Sequence, residues 1–395
     1  MAAANIISSL FNVIIFIYLA RALMPEALGY LSYAFTLVFF LANFVDLGLS
    51  TYGIREVAKD KARMSDYVSE IVSFRLIIAG VLAAALFISV SFSRHLGILK
   101  ILVLESSLLL FIFGFATEWA FQGAEKMHMV FISFATTSAL QFLLIYTFVK
   151  TPADLSKVPI LYFVAALPII LIFLTRLRFK LRIKRMDLQR IVIYLSSSLV
   201  IWSISIFAQI YNNFDIFILG IFRKIEEVGY FTIARRIIGG AALLMVFLAN
   251  AVLPRLSHAF CNDIAQFKAA TQKFLKISII LTLFILLPVI FFSKEFILLT
   301  VGSQYLPVST PLRIMFVGFG FILFNLPYST GLIAGGLEKE VLKQAAASAM
   351  LSITSNFILI PKYGMIGAAI SFSMAEALAL SWILWIYGKR VRSLI

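Results

Sequence analysis

Cysteine and histidine are scarce in this chain, and their scarcity removes several classes of function. Among 395 residues there is one cysteine, Cys261, and the three histidines stand far apart without metal-ligand spacing. A single thiol excludes an intramolecular disulfide and a cysteine metal cluster. Glycine-rich phosphate loops are also missing, because the pair Gly335 and Gly336 has the pattern of a bare turn. The sequence therefore predicts neither a metalloenzyme nor a protein that hydrolyses ATP itself.

Charged side chains are also few, at 13% of the residues, while 62% are hydrophobic and the mean hydropathy is +1.01. These values lie far outside the soluble globular average and predict a polytopic helical membrane protein. The 34 Lys and Arg outnumber the 19 Asp and Glu, which gives a net charge of +15. Because the bases lie in short loops between apolar runs, they indicate membrane topology and predict no nucleic-acid partner.

Long apolar runs recur along the whole chain. A helix needs about 20 apolar residues to cross a bilayer core of about 30 Å. Twelve runs fit, at residues 2–20, 28–50, 71–92, 97–119, 129–149, 159–175, 191–211, 228–252, 275–293, 311–334, 341–360 and 364–387. The predicted fold is therefore all-α, with about 12 transmembrane helices in two six-helix lobes.

A strongly basic stretch lies between the two halves of the chain. Residues 175–190 hold seven of the 34 Lys and Arg and one acid, Asp187. By the positive-inside rule such a stretch is cytoplasmic. Both termini are then cytoplasmic, and the inside loops hold 22 Lys and Arg against ten in the outside connections. We predict an N-terminal lobe at 1–176, a cytoplasmic linker at 177–190 and a C-terminal lobe at 191–395, in the cytoplasmic (inner) membrane.

No connection between the apolar runs is long enough to form a soluble domain. The outside connections are all shorter than about 20 residues. A membrane enzyme that polymerises or ligates sugars normally needs a sizeable outside loop to hold its acceptor. The short connections therefore favour transport over catalysis, and we expect no enzyme. A cleavable signal is not expected either, because residues 1–4 carry no basic side chain and no small-residue cleavage site follows the first run.

The two halves of the chain resemble each other at an offset of 200 residues. Six identities occur between residues 12–34 and 212–234, namely Asn12/Asn212, Leu19/Leu219, Glu26/Glu226, Gly29/Gly229, Tyr30/Tyr230 and Ala34/Ala234. In both halves the Gly-Tyr pair opens the second predicted helix. Two six-helix halves of the same orientation form a parallel repeat, related by a pseudo-twofold axis along the membrane normal. In such transporters one bundle rocks against the other around a central site.

Several separate motifs follow one family pattern. The first half carries Leu-Ala-Arg-Ala-Leu-Met-Pro-Glu-Ala-Leu-Gly-Tyr at 19–30, Phe-Val-Asp-Leu-Gly-Leu-Ser at 44–50, Ile-Arg-Glu at 54–56 and Glu-Trp-Ala-Phe-Gln-Gly-Ala-Glu-Lys-Met at 118–127. The second half carries Asp215, Val-Gly-Tyr-Phe at 228–231, Arg235-Arg236, Leu-Pro-Arg-Leu at 253–256 and Ile-Pro-Lys-Tyr-Gly-Met-Ile-Gly-Ala-Ala at 360–369. Over nearly the whole chain these motifs resemble the polysaccharide flippases of the multidrug/oligosaccharidyl-lipid/polysaccharide exporter superfamily.

The resemblance implies a cargo and partners. The cargo would be an undecaprenyl-diphosphate-linked oligosaccharide repeat unit, for O antigen, capsule or exopolysaccharide, moved from the inner to the outer leaflet by alternating access. Membrane lipids and the glycan polymerase machinery are the further partners that it implies. Relatives usually carry a short polar leader, whereas this sequence begins almost inside the first apolar run, as a truncated start would.

Arginines within or near the apolar runs are the candidate cargo ligands. Sugar and diphosphate groups cannot cross hydrocarbon without polar partners, and the planar guanidinium binds oxyanions in a bidentate way. The candidates for a cationic cavity are Arg21, Arg55, Arg75, Arg235 and Arg236. For the last two, snorkelling to the outer surface or an ion pair is the alternative. The other three lie near predicted helix ends, so an interfacial role is equally open.

Uncharged and acidic side chains supply the remaining candidates. Asn5, Ser8 and Asn12 recur at helical spacing and predict either a polar cavity lining or hydrogen bonds between helices. Asp46 and Asp215 predict ion pairs with cavity arginines or coupling to H⁺ or Na⁺. The resemblance adds Asn356 to Asp215 as a possible cation site. No cofactor and no bound metal are expected beyond such coupling.

Three alternatives to the flippase stay open. A drug/cation antiporter shares the fold, although its usual carboxylate in the first helix is missing, because residues 1–20 contain no acid. A peptidoglycan lipid-precursor flippase has the same cargo chemistry. A membrane glycan polymerase is disfavoured by the short outside connections.

Overall fold

A computed structural model of the protein describes residues 2–92, 97–179 and 188–392. The described residues are 93% helical, and no strand occurs among them. Residues 180–187 of the predicted basic linker lie outside the described residues, as does the side chain of Asn5.

Twelve α-helices follow one another along the described chain. They are α1 Ala2–Asp46, α2 Leu49–Lys59, α3 Met64–Phe92, α4 Gly97–Phe115, α5 Glu118–Gly123, α6 Met127–Phe148, α7 Lys157–Arg176, α8 Leu188–Phe222, α9 Ile225–Asn262, α10 Ile264–Thr300, α11 Ser309–Ala334 and α12 Glu338–Arg392.

Two of these helices are pairs of membrane crossings joined at a kink. Met24 breaks α1 with φ 66° and ψ 167°, directly before Pro25, which has no backbone N–H to continue the helix. Gly364 breaks α12 with φ 57° and ψ −136°. With α1 and α12 each divided, and the short α2 and α5 set aside, the described chain contains twelve long helical segments, the number of crossings that the sequence predicts. The predicted all-α polytopic fold is confirmed.

Large apolar side chains are exposed along these helices. Phe92 is 83% exposed, Leu299 78% and Phe284 76%. Faces of this kind suit hydrocarbon, where a helix satisfies all its backbone hydrogen bonds internally. Among the described residues, nine apolar stretches are long enough to cross a bilayer, two of which hold both arms of a kinked helix. The chain is a multi-pass membrane protein.

The third crossing begins earlier than hydropathy predicts, and this changes the position of Arg75. α3 begins at Met64 rather than near residue 71. Its first turns contain Asp66 and Glu70, which lower the local hydropathy. The opposite face of these turns packs into an apolar core. Arg75 therefore lies about three helical turns inside α3 and is fully buried. Its predicted place near a helix end is wrong.

The internal repeat is visible in the positions of the helix breaks. In the first half the break lies at Met24. In the second half the extended residue that precedes α9 is Lys224, which lies 200 positions after Met24. The Glu-x-x-Gly-Tyr sequence of each half therefore lies in the first turns of its second crossing. This shared local structure supports the predicted repeat.

Two compact units divide the chain, Met1–Asn213 and Phe214–Ile395, called here the N-terminal and C-terminal units. The division lies within α8, because the first part of that helix packs on the N-terminal unit. Trp202 Nε1 donates a hydrogen bond to the carbonyl oxygen of Asn43 at 2.9 Å. The predicted lobe boundaries at residues 176 and 191 stay a prediction.

Each unit has an aromatic core of its own. In the N-terminal unit the rings of Phe121 and Phe173 lie 4.4 Å apart, beside the buried Trp119. In the C-terminal unit Phe267 and Phe274 are each 2% exposed. These cores fix the helices that carry the polar groups described below.

We predict that Gly364→Ala lowers stability more than Gly336→Ala. Both glycines have positive φ, 57° and 72°, where alanine is strained by about 1 kcal/mol. At Gly364 an added Cβ would also collide with the Glu227 carboxylate, whereas nothing lies within 4 Å of the position in Gly336. That carboxylate accepts hydrogen bonds from Met365 N at 2.9 Å and from Arg223 Nε at 3.0 Å, so it is not free to move.

The measurement is thermal unfolding of the two variants in detergent. The account expects the larger fall in Tm for Gly364→Ala. Equal falls in Tm would show that backbone strain accounts for both effects and that the Glu227 carboxylate moves aside without a measurable loss of stability.

Candidate functional site

Arg75 is a cation buried inside a membrane crossing, and its partners explain how it is tolerated. A central Arg costs about 2.5–3.5 kcal/mol on insertion scales unless it is paired. Its Nη2 is paired with the carboxylate of Asp46 and donates to Ser50 Oγ at 2.8 Å. Its Nη1 donates to the carbonyl oxygen of Ala116 at 3.2 Å, and its guanidinium lies 6.0 Å from the centroid of the Trp119 ring.

Asp46 owes its position to the end of α1. Directly after it, Leu47 and Gly48 adopt positive φ, which turns the chain back toward the carboxylate. The carboxylate accepts hydrogen bonds from Gly48 N at 3.1 Å, Ser50 N at 3.2 Å and Ser50 Oγ at 2.7 Å. Only glycine fits at 48, because a Cβ there would lie 2.8 Å from the carbonyl oxygen of Ser198. The carboxylate is therefore held in place before any ligand arrives.

A cavity of about 470 Å³ opens beside this ion pair in the N-terminal unit. Its lining residues are Phe39, Ala42, Asn43, Asp46, Ser50, Arg75, Phe113, Ala116 and Gln209. The one cation and the one anion among them are paired, so the lining offers hydroxyl, amide and carboxylate groups without net charge. Such a surface suits a ligand with many hydroxyl groups better than a free anion. The rings of Phe39 and Phe113, 5.9 Å apart, add an apolar wall.

A second ion pair lies in the C-terminal unit. Asp215 in α8 is 5% exposed, and its Oδ2 lies 3.3 Å from Arg235 Nε in α9. Its other oxygen accepts a hydrogen bond from Ile216 N at 2.8 Å. The Arg235 guanidinium also lies 5.5 Å from the centroid of the Phe372 ring. The Arg235 side chain is 13% exposed, against 1% for Arg75 in the first pair.

The remaining predicted arginines are more exposed than the two in these pairs. Arg21 and Arg236 are exposed on α1 and α9. Arg55 is 54% exposed, lies 3.5 Å from the Glu56 carboxylate and covers the Tyr52 ring at 5.6 Å. Neither Arg21 nor Arg55 lines the 470 Å³ cavity. A cargo-binding role for these three residues stays a prediction.

The polar stripe on the first helix makes contacts between helices. Ser8 Oγ lies 3.1 Å from Ser138 Oγ of α6, and Asn12 Nδ2 donates to the carbonyl oxygen of Ser8 at 2.8 Å. Neither Ser8 nor Asn12 lines the 470 Å³ cavity. The bond between Ser8 and Ser138 matches the interhelical alternative, whereas the Asn12 bond lies within α1, and the cavity-lining role of the stripe stays a prediction.

Asn356 lies close to the level of Asp215. The ring of Phe357, the next residue, packs against the ring of Phe214 at 5.5 Å between centroids. Asn356 is 2% exposed, and its Oδ1 has no hydrogen-bond partner among the described atoms. A buried amide oxygen of this kind is an available cation ligand, and the predicted cation site stays a prediction.

Several groups at the first pair were missed from the sequence. Ser50 and Trp119 both belong to quoted motifs, but their contact with Arg75 depends on the chain reversal at Gly48. The spacing of Asp46 and Ser50, four residues apart, was the available signal. Gln209 gave no signal, because its approach to the cavity depends on the packing of α8.

Comparisons with known proteins agree with one another. A model of the family described as "Polysaccharide biosynthesis protein" matches residues 1–260. The "Capsular polysaccharide biosynthesis protein CapF" of Staphylococcus aureus is 24% identical over 404 residues, and the match covers 98% of this chain and 98% of that protein. The "Putative O-antigen transporter" of Shigella flexneri is 24% identical over 391 residues, which cover 94% of this chain and 92% of that protein.

Solved structures share the fold. The lipid II flippase MurJ in an inward closed conformation matches with a TM-score of 0.75 and 17% identity, over 97% of this chain and 86% of that one. An inward-facing MATE multidrug resistance transporter of the MOP superfamily matches with a TM-score of 0.71 and 17% identity, over 98% and 95%. At this identity the matches show that the transporter fold is common to all three.

We predict that Asp46→Asn destabilises the protein because it leaves Arg75 buried and charged. Asparagine keeps one acceptor oxygen, which can serve Ser50, but its amide nitrogen cannot accept from Gly48 N, so the cost includes that hydrogen bond as well as the lost charge. Breaking a fully buried pair costs about 3–5 kcal/mol. Since the Asp46 side chain is 35% exposed, we expect about 2 kcal/mol.

A double-mutant cycle with Arg75→Met in detergent measures the coupling. The double variant should be more stable than the sum of the single changes implies, because no unpaired charge remains. Strict additivity would mean that Asp46 does not compensate Arg75.

Proposed function

Because the chain belongs to the polysaccharide biosynthesis protein family, we propose that it is a flippase. The proposed cargo is an oligosaccharide repeat unit linked to undecaprenyl through a diphosphate, moved from the inner to the outer leaflet by alternating access. The names of the capsular polysaccharide and O-antigen relatives support this cargo class. The observation that carries the proposal is the charge-compensated polar cavity at Arg75 and Asp46 within otherwise apolar helices.

The cavity has the chemistry that a sugar requires. A polar group that leaves water without a hydrogen-bond partner costs about 1–3 kcal/mol. Asn43 and Gln209 offer amide donors and acceptors, and the Asp46 carboxylate accepts from hydroxyl groups. The Arg75 side chain is 1% exposed, and its two terminal nitrogens bond Asp46, Ser50 and the carbonyl oxygen of Ala116, so it holds Asp46 in place. In this account the N-terminal cavity receives sugar, while the lipid chain stays among the outer apolar faces.

Arg235 is the cation best placed for the diphosphate. Its 13% exposure and its carboxylate contact at 3.3 Å would allow another oxyanion to approach the guanidinium and exchange with Asp215. A diphosphate that binds the Arg235 guanidinium in place of Asp215 would leave the Asp215 carboxylate buried without a compensating positive charge. A buried carboxylate without a cation then favours uptake of H⁺ or Na⁺. Cargo binding and ion binding would thus be coupled, because the diphosphate replaces Asp215 at Arg235 and frees Asp215 to bind the ion. For Na⁺, Asn356 would be a second ligand.

The same proposal includes a membrane topology and a role in transport without catalysis. We place the chain in the cytoplasmic (inner) membrane with both termini cytoplasmic, on the excess of 22 over ten Lys and Arg in the inside loops. The glycan polymerase machinery would then receive the cargo on the far side. The chain would carry out translocation and no covalent step.

A drug/cation antiporter and a peptidoglycan lipid-precursor flippase share this fold, so the fold does not decide among them. The absence of an acid from residues 1–20 counts against the antiporter. The capsular and O-antigen names of the relatives favour a repeat-unit cargo over a peptidoglycan precursor. A membrane glycan polymerase is the weakest alternative, since the outside connections are short.

We predict that depletion of this protein traps lipid-linked oligosaccharide in the inner leaflet of its native host. The measurement is access of a sugar-specific probe from outside in sealed spheroplasts. Wild type should restore access, whereas Arg235→Gln and Gln209→Leu should each reduce it at least about tenfold, as loss of about 1.4 kcal/mol or more of binding implies.

Arg255→Gln is the matched control, because Arg255 is an exposed arginine on the same helix as Arg235. All variants must be present at equal amounts in the membrane. Unchanged access together with new drug sensitivity would favour the antiporter. Outside accumulation of unpolymerised units would favour the polymerase.

A further inference from the structure

A second cavity, of about 320 Å³, lies in the C-terminal unit and has no part in the proposed sugar site. It is formed by three helices: α10 supplies most of its lining, and α11 and α12 each supply a tyrosine. The lining residues are Lys268, Thr271, Gln272, Leu275, Tyr328 and Tyr387. The α10 residues recur at intervals of three and four, so they form one face of that helix.

The walls of this cavity are built into the packing of the unit. The rings of Tyr328 and Tyr387 meet edge to face at 5.0 Å, and Tyr387 stacks on the buried Phe267 at 6.4 Å. Gly331 permits this approach, because a Cβ there would lie 3.3 Å from Phe267 and 3.5 Å from Tyr387. Thr271 is 2% exposed and bonded to its own helix. The cavity is therefore preformed.

The cavity lies where α10 changes from polar to apolar. Lys268, Lys273 and Lys276 precede the change, and no acid occurs from Ile264 until Glu295. On the proposed topology this end of α10 is cytoplasmic, and the beginning of an apolar run marks the level of the lipid headgroups. Trp385 of α12, 63% exposed, has the position of an interfacial anchor and carries Lys389 over its ring at 5.5 Å.

The lining chemistry favours an anion with several acceptor oxygens. Lys268 provides a positive charge, Gln272 an amide and the two tyrosines hydroxyl groups, and none of the six lining residues is acidic. Leu275 continues the wall toward the hydrocarbon. Basic pockets between transmembrane helices on the cytoplasmic side bind anionic headgroups. We propose that this cavity binds the phosphate of a lipid headgroup in the inner leaflet.

Two lipids could bring that phosphate, an ordinary anionic phospholipid or an undecaprenyl phosphate carrier. The inference concerns binding at this cavity and does not depend on transport. It rests on the proposed topology for the choice of leaflet, but it can fail or succeed separately from the proposed cargo.

The test is a binding titration of the purified full-length protein in phosphatidylcholine nanodiscs. Phosphatidylglycerol and undecaprenyl phosphate are added in separate arms, and bound lipid is counted by native mass spectrometry. Wild type should bind at least one of them in preference to phosphatidylcholine. Lys268→Gln should weaken that binding at least about fivefold, as loss of one charge near a headgroup implies. Tyr387→Phe, which keeps the ring and removes the hydroxyl, should weaken it as well.

Lys273→Gln is the matched control, since Lys273 is an exposed lysine on another face of α10. It removes the same charge and should leave binding within about twofold of wild type. Lys268→Arg should retain binding, which shows that a loss in Lys268→Gln is not misfolding. Preference for phosphatidylglycerol identifies a resident phospholipid, and preference for undecaprenyl phosphate identifies a carrier site. Equal losses in Lys268→Gln and Lys273→Gln, or no preference for either lipid, would overturn the proposal.

Discussion

The pairing of Arg75 with Asp46 is the constraint around which the N-terminal unit is arranged. A guanidinium buried in a membrane crossing must have its charge compensated and its donors bonded. The end of α1 at Asp46, the reversal at Gly48 and the carbonyl group of Ala116 between α4 and α5 all serve that requirement. The same arrangement leaves a polar cavity without net charge beside the pair. The Asp46 and Ser50 side chains that bond Arg75 therefore also line the proposed sugar site.

The pair in the C-terminal unit follows the same rule but is more exposed. Arg235 has 13% of its side chain exposed and contacts Asp215 at 3.3 Å, whereas the Arg75 side chain is 1% exposed. The proposed mechanism uses this difference in exposure. In it Arg75 is a fixed support, and Arg235 exchanges its partner for the diphosphate of the cargo. The cost of a buried unpaired Asp215 then provides a physical link between cargo and ion.

The sequence was sufficient for the features that depend on composition and periodicity. Hydropathy predicted twelve crossings, and the offset of 200 predicted matching helix breaks, found at Met24 and Lys224. Hydropathy failed at the start of α3, because Asp66 and Glu70 interrupt the apolar average although their helix is packed into a core. Arg75 was consequently placed at a helix end. Which arginine meets which acid depends on tertiary packing, which no spacing in the chain specifies.

The most direct test of this account is the affinity of the purified protein for undecaprenyl diphosphate in wild type and in Asp215→Asn. If the diphosphate must displace Asp215 from Arg235, removing the carboxylate charge removes the competitor. The account predicts binding at least about fivefold tighter in the variant, the lower end of typical coupling between sites. Equal or weaker binding in a folded Asp215→Asn protein would contradict the exchange of partners on which the proposed mechanism depends.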